Sequence, residues 1–149
     1  MSARLAYVNI LSEDIDALAK FYSGVFGFQE IANHRSPIYR CLDAGGIELG
    51  FNAPMARDLL NLPAREHEGG SAGATYFTFE MDAVETLEEA MHRAIAHGAR
   101  LLKPPYDTYY NARQCVLADP EGNIFRLNFR RGARPPADDV PDPPWSAPA

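Results

Sequence analysis

The sequence predicts an α+β fold built from two βαβββ modules, and three observations carry that prediction. Residues 5–52 and 74–130 follow the same order of signals: a strand, a helix, then three strands. One segment in each half repeats apolar residues at helical spacing. The segments around it alternate apolar and polar residues with the period of two that a half-buried strand requires. The modules span 4–52 and 74–130, residues 53–73 connect them, and together they make one domain over 1–130. The last stretch, 131–149, holds six of the 12 prolines and reads as an extended tail.

The first module opens on the β-prone run 5–11, after which Ser12 and Asp14 offer caps for a helix. Ile15, Leu18, Tyr22 and Val25 recur on one face of that helix, and Gly27 is placed to end it as a C′ glycine. Residues 28–31 begin the next strand. Residues 38–44, the Gly45-Gly46 pair and 47–52 read as a hairpin.

The second module repeats the scheme. Residues 74–81 form a strand, and Asp82 is the expected N-cap, with Glu85 completing a capping box. Val84, Leu87, Met91 and Ile95 form the apolar stripe, and Gly98 takes the part of Gly27. Leu101 and Leu102 re-enter the sheet, and 104–111 read as a long loop. Residues 113–118, the turn 119–123 and 124–130 complete the module. In the connector, 55–60 suggest a short helix and 64–73 a polar linker or lid.

Composition narrows the function. Apolar residues at 46% and charged ones at 23% match ordinary globular usage, so a wholly disordered or collagen-like chain is excluded. Fourteen Lys and Arg against 20 Asp and Glu give a net charge of −6. Phosphate backbones and anionic membranes repel such a chain, so neither nucleic acid nor a membrane is an expected partner. No run of apolar residues approaches the ~20 of a membrane span, and residues 1–25 lack a secretory pattern, so the cytoplasm is the expected compartment. Cys41 and Cys115 sit in apolar stretches outside any CxxC pairing and read as buried free thiols.

Alternation divides each strand into two faces. Ala6, Val8 and Ile10 oppose Tyr7, Asn9 and Leu11; Ile47, Leu49 and Phe51 oppose Glu48, Gly50 and Asn52. In the second module Phe77 and Phe79 oppose Tyr76, Thr78 and Glu80, while Phe125, Leu127 and Phe129 oppose Arg126, Asn128 and Arg130. The apolar faces need the two helices. The other face, carrying Tyr7, Asn9, Glu48, Tyr76, Thr78, Arg126 and Asn128, is either a solvated outer surface or the wall of a cleft. Aromatic residues at matching places in both halves, and opposite charges on the corresponding last strands, favour a curved, partly open mixed sheet around a cleft.

Three stretches carry a resemblance: Tyr7-Val8-Asn9-Ile10 through Phe21-Tyr22 to Val25-Phe26-Gly27-Phe28, the strand Gly46-Ile47-Glu48-Leu49, and Ala118-Asp119-Pro120-Glu121-Gly122-Asn123. In this order and spacing the chain resembles, over residues 4–130, the vicinal oxygen chelate superfamily of glyoxalase I, bleomycin-resistance proteins and extradiol dioxygenases. The resemblance implies paired βαβββ modules whose curved sheets enclose a small-molecule cleft, often shared across a dimer, and hence a homodimer. Metal-using members take His, Gln or Glu ligands from the first and last strand of each module, and those places fall on Tyr7, Glu48, Tyr76 and Arg126. Of these only Glu48 suits a divalent cation, because a phenol ligates poorly until deprotonated and a guanidinium offers donors alone.

His92 and His97 are five apart on the second helix and do not share a face; His34 and His67 lie in loops, so no histidine is expected as a ligand. No metal and no other cofactor is therefore expected, a divalent metal being the alternative. An ion pair between Glu48 and Arg126, organised by Tyr7 and Tyr76, is expected in place of the ion. Tyr106, Tyr109 and Tyr110, with Arg113 beyond them, suit a planar organic ligand or dimer packing. The expected function is binding of a small organic molecule in the cleft without the family's metal. The alternative is a lyase, isomerase or dioxygenase of the superfamily in which Glu48 is catalytic, as base or residual ligand. No nucleophile elbow, Walker A loop, dinucleotide fingerprint or HExxH helix is present.

Overall fold

In the computed structural model of the protein, which describes residues 2–63, 75–132 and 140–146, the two modules repeat one connectivity. The first runs β1 (Tyr7–Leu11), α1 (Ile15–Phe26), β2 (Gln29–Glu30), a 3-10 turn (Ala32–His34), β3 (Tyr39–Asp43) and β4 (Glu48–Asn52). After the short α2 (Ala56–Leu59) come β5 (Phe77–Glu80), α3 (Val84–Ala96), β6 (Arg100–Asp107), β7 (Ala112–Ala118) and β8 (Ile124–Arg130), and a 3-10 turn at Pro144–Ser146. Two compact units, Met1–Gly70 and Ser71–Ala149, contain these elements. Each holds one open four-stranded mixed sheet, ordered β1-β4-β3-β2 in one and β5-β8-β7-β6 in the other. The α+β class and the repeated βαβββ order match the sequence reading. The polar 64–73 segment and His67 lie outside the described residues.

Local chemistry explains the boundaries. The Asp14 carboxylate accepts the Ala17 N–H at 3.0 Å and caps α1. Gly27 ends it in the left-handed region at φ 74°, returning its N–H to Ser23 O. Ile15, Leu18, Phe21, Tyr22 and Val25 are buried along α1, and the Tyr22 ring stacks on Phe51 of β4 at 5.7 Å. In each sheet the first and last strands of the module pair in parallel, with Tyr7 opposite Glu48 and Thr78 opposite Arg126.

Three expectations need correction. The N-cap of α3 is Ala83 rather than Asp82: the Thr86 hydroxyl accepts the Ala83 N–H at 3.1 Å, so the threonine one turn inside the helix does the capping that Glu85 was expected to do. On α3 the buried residues are Leu87, Ala90, Met91 and Ala94, while Ile95 is exposed. Leu87, Ala90, Met91 and Ala94 share one face at i, i+3, i+4 and i+7, and Ile95 falls one position past it. Residues 104–107, expected in a loop, belong to β6. Prolines 104 and 105 are tolerated because β6 is an edge strand and the register shifts between Lys103 and Tyr106, where no ladder N–H is needed.

Candidate functional site

On the second sheet, the face away from α3 converges on Arg126. β8 holds it opposite Thr78, whose hydroxyl accepts from Arg126 Nε at 2.7 Å. Arg126 Nη1 donates at 3.3 Å to both the Tyr110 hydroxyl and Gln114 Oε1. The Tyr110 O–H donates to the same Gln114 oxygen at 2.5 Å, and the Gln114 amide donates to the Tyr106 hydroxyl. The guanidinium lies 5.2 Å from the centre of the Tyr76 ring. Side chains from β5, β7 and the turn before β7 thus hold a half-buried cation, and Tyr106 of β6 holds Gln114 behind it. Among the described residues of its own unit, no carboxylate pairs with it. Two positions along β8, Asn128 donates to Glu80 at 2.8 Å, while its Oδ1 is buried with no donor among the described residues.

Tyr109 packs edge-to-face on Tyr110 at 5.0 Å and on Trp145 at 5.1 Å, so the tail's only tryptophan lies against this cluster. Arg113 does not join it. Alternation along β7 puts Gln114 on the Arg126 face and Arg113 on the opposite one, where it reaches Glu88 of α3 at 3.6 Å and Asp107 at 3.4 Å. Gln114 was missed because charge, rather than register, drew attention to its neighbour. The observed pairing of Gln114 with Asn128 identifies it at once.

On the first sheet the corresponding centre is Glu48. Tyr7 lies opposite it on β1, and the carboxylate beside the phenol, more than burial, raises the Tyr7 pKa. His34 Nδ1 and Cys41 Sγ each lie 3.5 Å from Glu48 Oε2. Cys41 is fully buried, and burial foremost pushes its thiol pKa up, while the nearby Tyr39 side chain opposes the shift. Burial also raises the Tyr39 pKa. Gly50 makes room for this arrangement: a Cβ there would collide with Asn9 Oδ1 and the Tyr39 ring. Asn9 is held by Asn52 Nδ2 at 3.2 Å. A recess of about 220 Å³ opens between Tyr7, Ile31, Asp43 and Glu48.

The structure therefore gathers Tyr7, Asn9 and Glu48 on one sheet face and Tyr76, Thr78, Tyr109, Tyr110 and Arg126 around another, leaving Arg113 aside. Glu48 and Arg126, expected as an ion pair, belong to different units, and each has partners within its own. At the places where the resemblance would put metal ligands, the first unit presents Tyr7 and Glu48 and the second presents Tyr76 and Arg126. Of these side chains only the Glu48 carboxylate is a good ligand for a divalent ion. His92 and His97 are exposed on or beside α3, as expected, with the His97 ring 2.8 Å from Arg93 O. His34 and Cys41 were passed over as a loop histidine and a buried thiol. The alternation Tyr39, Cys41, Asp43 behind the glycine hairpin is the signal that puts the thiol on the Glu48 face. Among the described residues no helix is long and apolar enough to cross a membrane.

Comparisons agree with this architecture. A crystal structure of a glyoxalase/bleomycin resistance protein/dioxygenase family enzyme from Burkholderia phytofirmans PsJN is 45% identical, covers 85% of this chain and 98% of its own, and superposes with a TM-score of 0.78. A glyoxalase-related enzyme from Fulvimarina pelagi shares the fold at 19% identity, TM-score 0.74, over 90% of this chain and 96% of its own. The fosfomycin resistance protein FosX from Listeria monocytogenes does so at 17% identity, TM-score 0.65, over 87% and 94%. No curated protein matches the chain. The sequence profile of the Glyoxalase/Bleomycin resistance protein/Dioxygenase superfamily matches residues 4–127, and the chain belongs to that superfamily.

Proposed function

We propose that the protein binds a small, planar organic molecule carrying an acidic or electron-rich group, and that it does so without a metal at the superfamily's usual places. One observation carries this reading: Arg126 is held by Thr78, Tyr110 and Gln114 and lacks a carboxylate partner among the described residues of its unit. A guanidinium kept in place by neutral acceptors retains its full charge for an incoming anion, and its planar fork matches a carboxylate. Tyr76, Tyr109 and Tyr110 supply ring faces and edges for a flat ligand. Where a metal would draw electron density from a substrate oxygen, Arg126 supplies hydrogen bonds and fixed charge.

The test is calorimetric titration with a panel of aromatic carboxylates. Arg126→Ala is expected to weaken binding of the best ligand by about 10- to 100-fold, the worth of one charge-assisted pair. Arg126→Lys should recover only part of it, because the two-pronged geometry is lost. Unchanged affinity in Arg126→Ala overturns the assignment.

A second reading is an enzyme of the superfamily in which Glu48 acts as general base or metal ligand. It is favoured by the contacts of Glu48 with His34 and Cys41. The description of the 45% identical Burkholderia protein as a family enzyme supports it further.

A further inference from the structure

We infer that His34, Cys41 and Glu48 form a binding site for a thiophilic divalent metal ion, of the Zn²⁺ or Co²⁺ class, within the first module. Their ligand atoms all lie within 4.8 Å of one another. A tetrahedral centre with bonds of about 2.0–2.1 Å to nitrogen or oxygen and about 2.3 Å to sulfur has ligand-to-ligand edges of roughly 3.3–3.6 Å. Two of the three edges here, Nδ1 to Oε2 and Sγ to Oε2, are 3.5 Å. The third closes with a small rotation of the exposed His34 ring, which sits at the end of a three-residue 3-10 turn.

The donor set selects the ion. Thiolate and imidazole suit Zn²⁺ and its neighbours, whereas Mg²⁺ and Ca²⁺ require oxygen cages. Three protein donors leave a four-coordinate ion one position for water or a substrate atom. The recess lined by Tyr7, Ile31, Asp43 and Glu48 reaches one of the three ligands, the Glu48 carboxylate. Outside the ligands, Tyr39 lies two residues before Cys41 on β3 and so on the same strand face. A phenol beside a metal-bound thiolate can support it from the surroundings. Gly50 leaves room for the Tyr39 ring on that face.

This site differs from the four places discussed above: only Glu48 is shared, and His34 and Cys41 come from the 3-10 turn and β3 of the same module. It is also independent of Arg126, so either assignment can fail alone.

Titration of the purified full chain with Co²⁺ tests it. One equivalent is expected to produce tetrahedral visible bands and a sulfur-to-cobalt charge-transfer band in the near ultraviolet. The charge-transfer band should vanish in Cys41→Ser and persist in Cys115→Ser. Tyr39→Phe is expected to weaken Co²⁺ binding by about tenfold, and His34→Ala, on an exposed turn that tolerates truncation, by more than that. A wild-type titration without the charge-transfer band, a band that survives Cys41→Ser or depends on Cys115, or wild-type affinity in His34→Ala would each overturn the site.

Discussion

Gly50 shows how a single missing methyl group organises a polar surface. It lies on β4 between Glu48 and Asn52, and the side chains of Asn9 and Tyr39 close over it from the two neighbouring strands. Gly50→Ala is expected to destabilise the fold by about 1–3 kcal/mol, the usual cost of overfilling a packed site, read from the urea midpoint. A variant as stable as wild type would show that Asn9 and Tyr39 can move aside freely. Residue-level reasoning from sequence found Tyr7, Asn9, Glu48 and Arg126 because strand alternation alone places them on the polar faces. It chose Arg113 over Gln114 because charge is visible in a sequence while the register between β7 and β8 is not. His34 and Cys41 escaped notice for a related reason: their proximity to Glu48 depends on where the chain between β2 and β3 carries the imidazole.

Elements were legible where one local interaction decides them. Asp14 and Gly27 bound α1 as their chemistry requires, and the glycine hairpin between β3 and β4 forms with positive φ at Gly45 and Gly46. The start of α3 was misread because three polar residues, Asp82, Glu85 and Thr86, compete for the role within one turn. The structure gives the role to Thr86, which both accepts the Ala83 N–H and donates to Ala83 O at 3.0 Å. Thr86→Val keeps shape and removes that hydroxyl, so it should cost about 1 kcal/mol of stability in thermal or urea unfolding, while Asp82→Ala should cost less. The reverse order would restore Asp82 as the cap. β6 illustrates the opposite limit. Two prolines argue against a strand locally, and only its edge position and shifted pairing with β7 permit one.

At the scale of the whole molecule, the duplicated order of elements was the most legible feature, because each module must bury one helix against one sheet face and the apolar residues record that need twice. Superfamily membership follows from the same repeat together with the strand and turn stretches at both ends of the modules. The proposed ligand chemistry was harder to read, since it rests on a guanidinium whose hydrogen-bond partners come from three separate segments, β5, the turn before β7 and β7. Under the proposed function this guanidinium takes a small organic anion with no metal's help. Calorimetric titration of chelator-treated protein with the tightest-binding aromatic carboxylate, repeated after Zn²⁺ is restored, is the sharpest check of that proposal. Equal affinity with and without metal is the expected outcome. Binding that disappears on chelation and returns with the ion would overturn it.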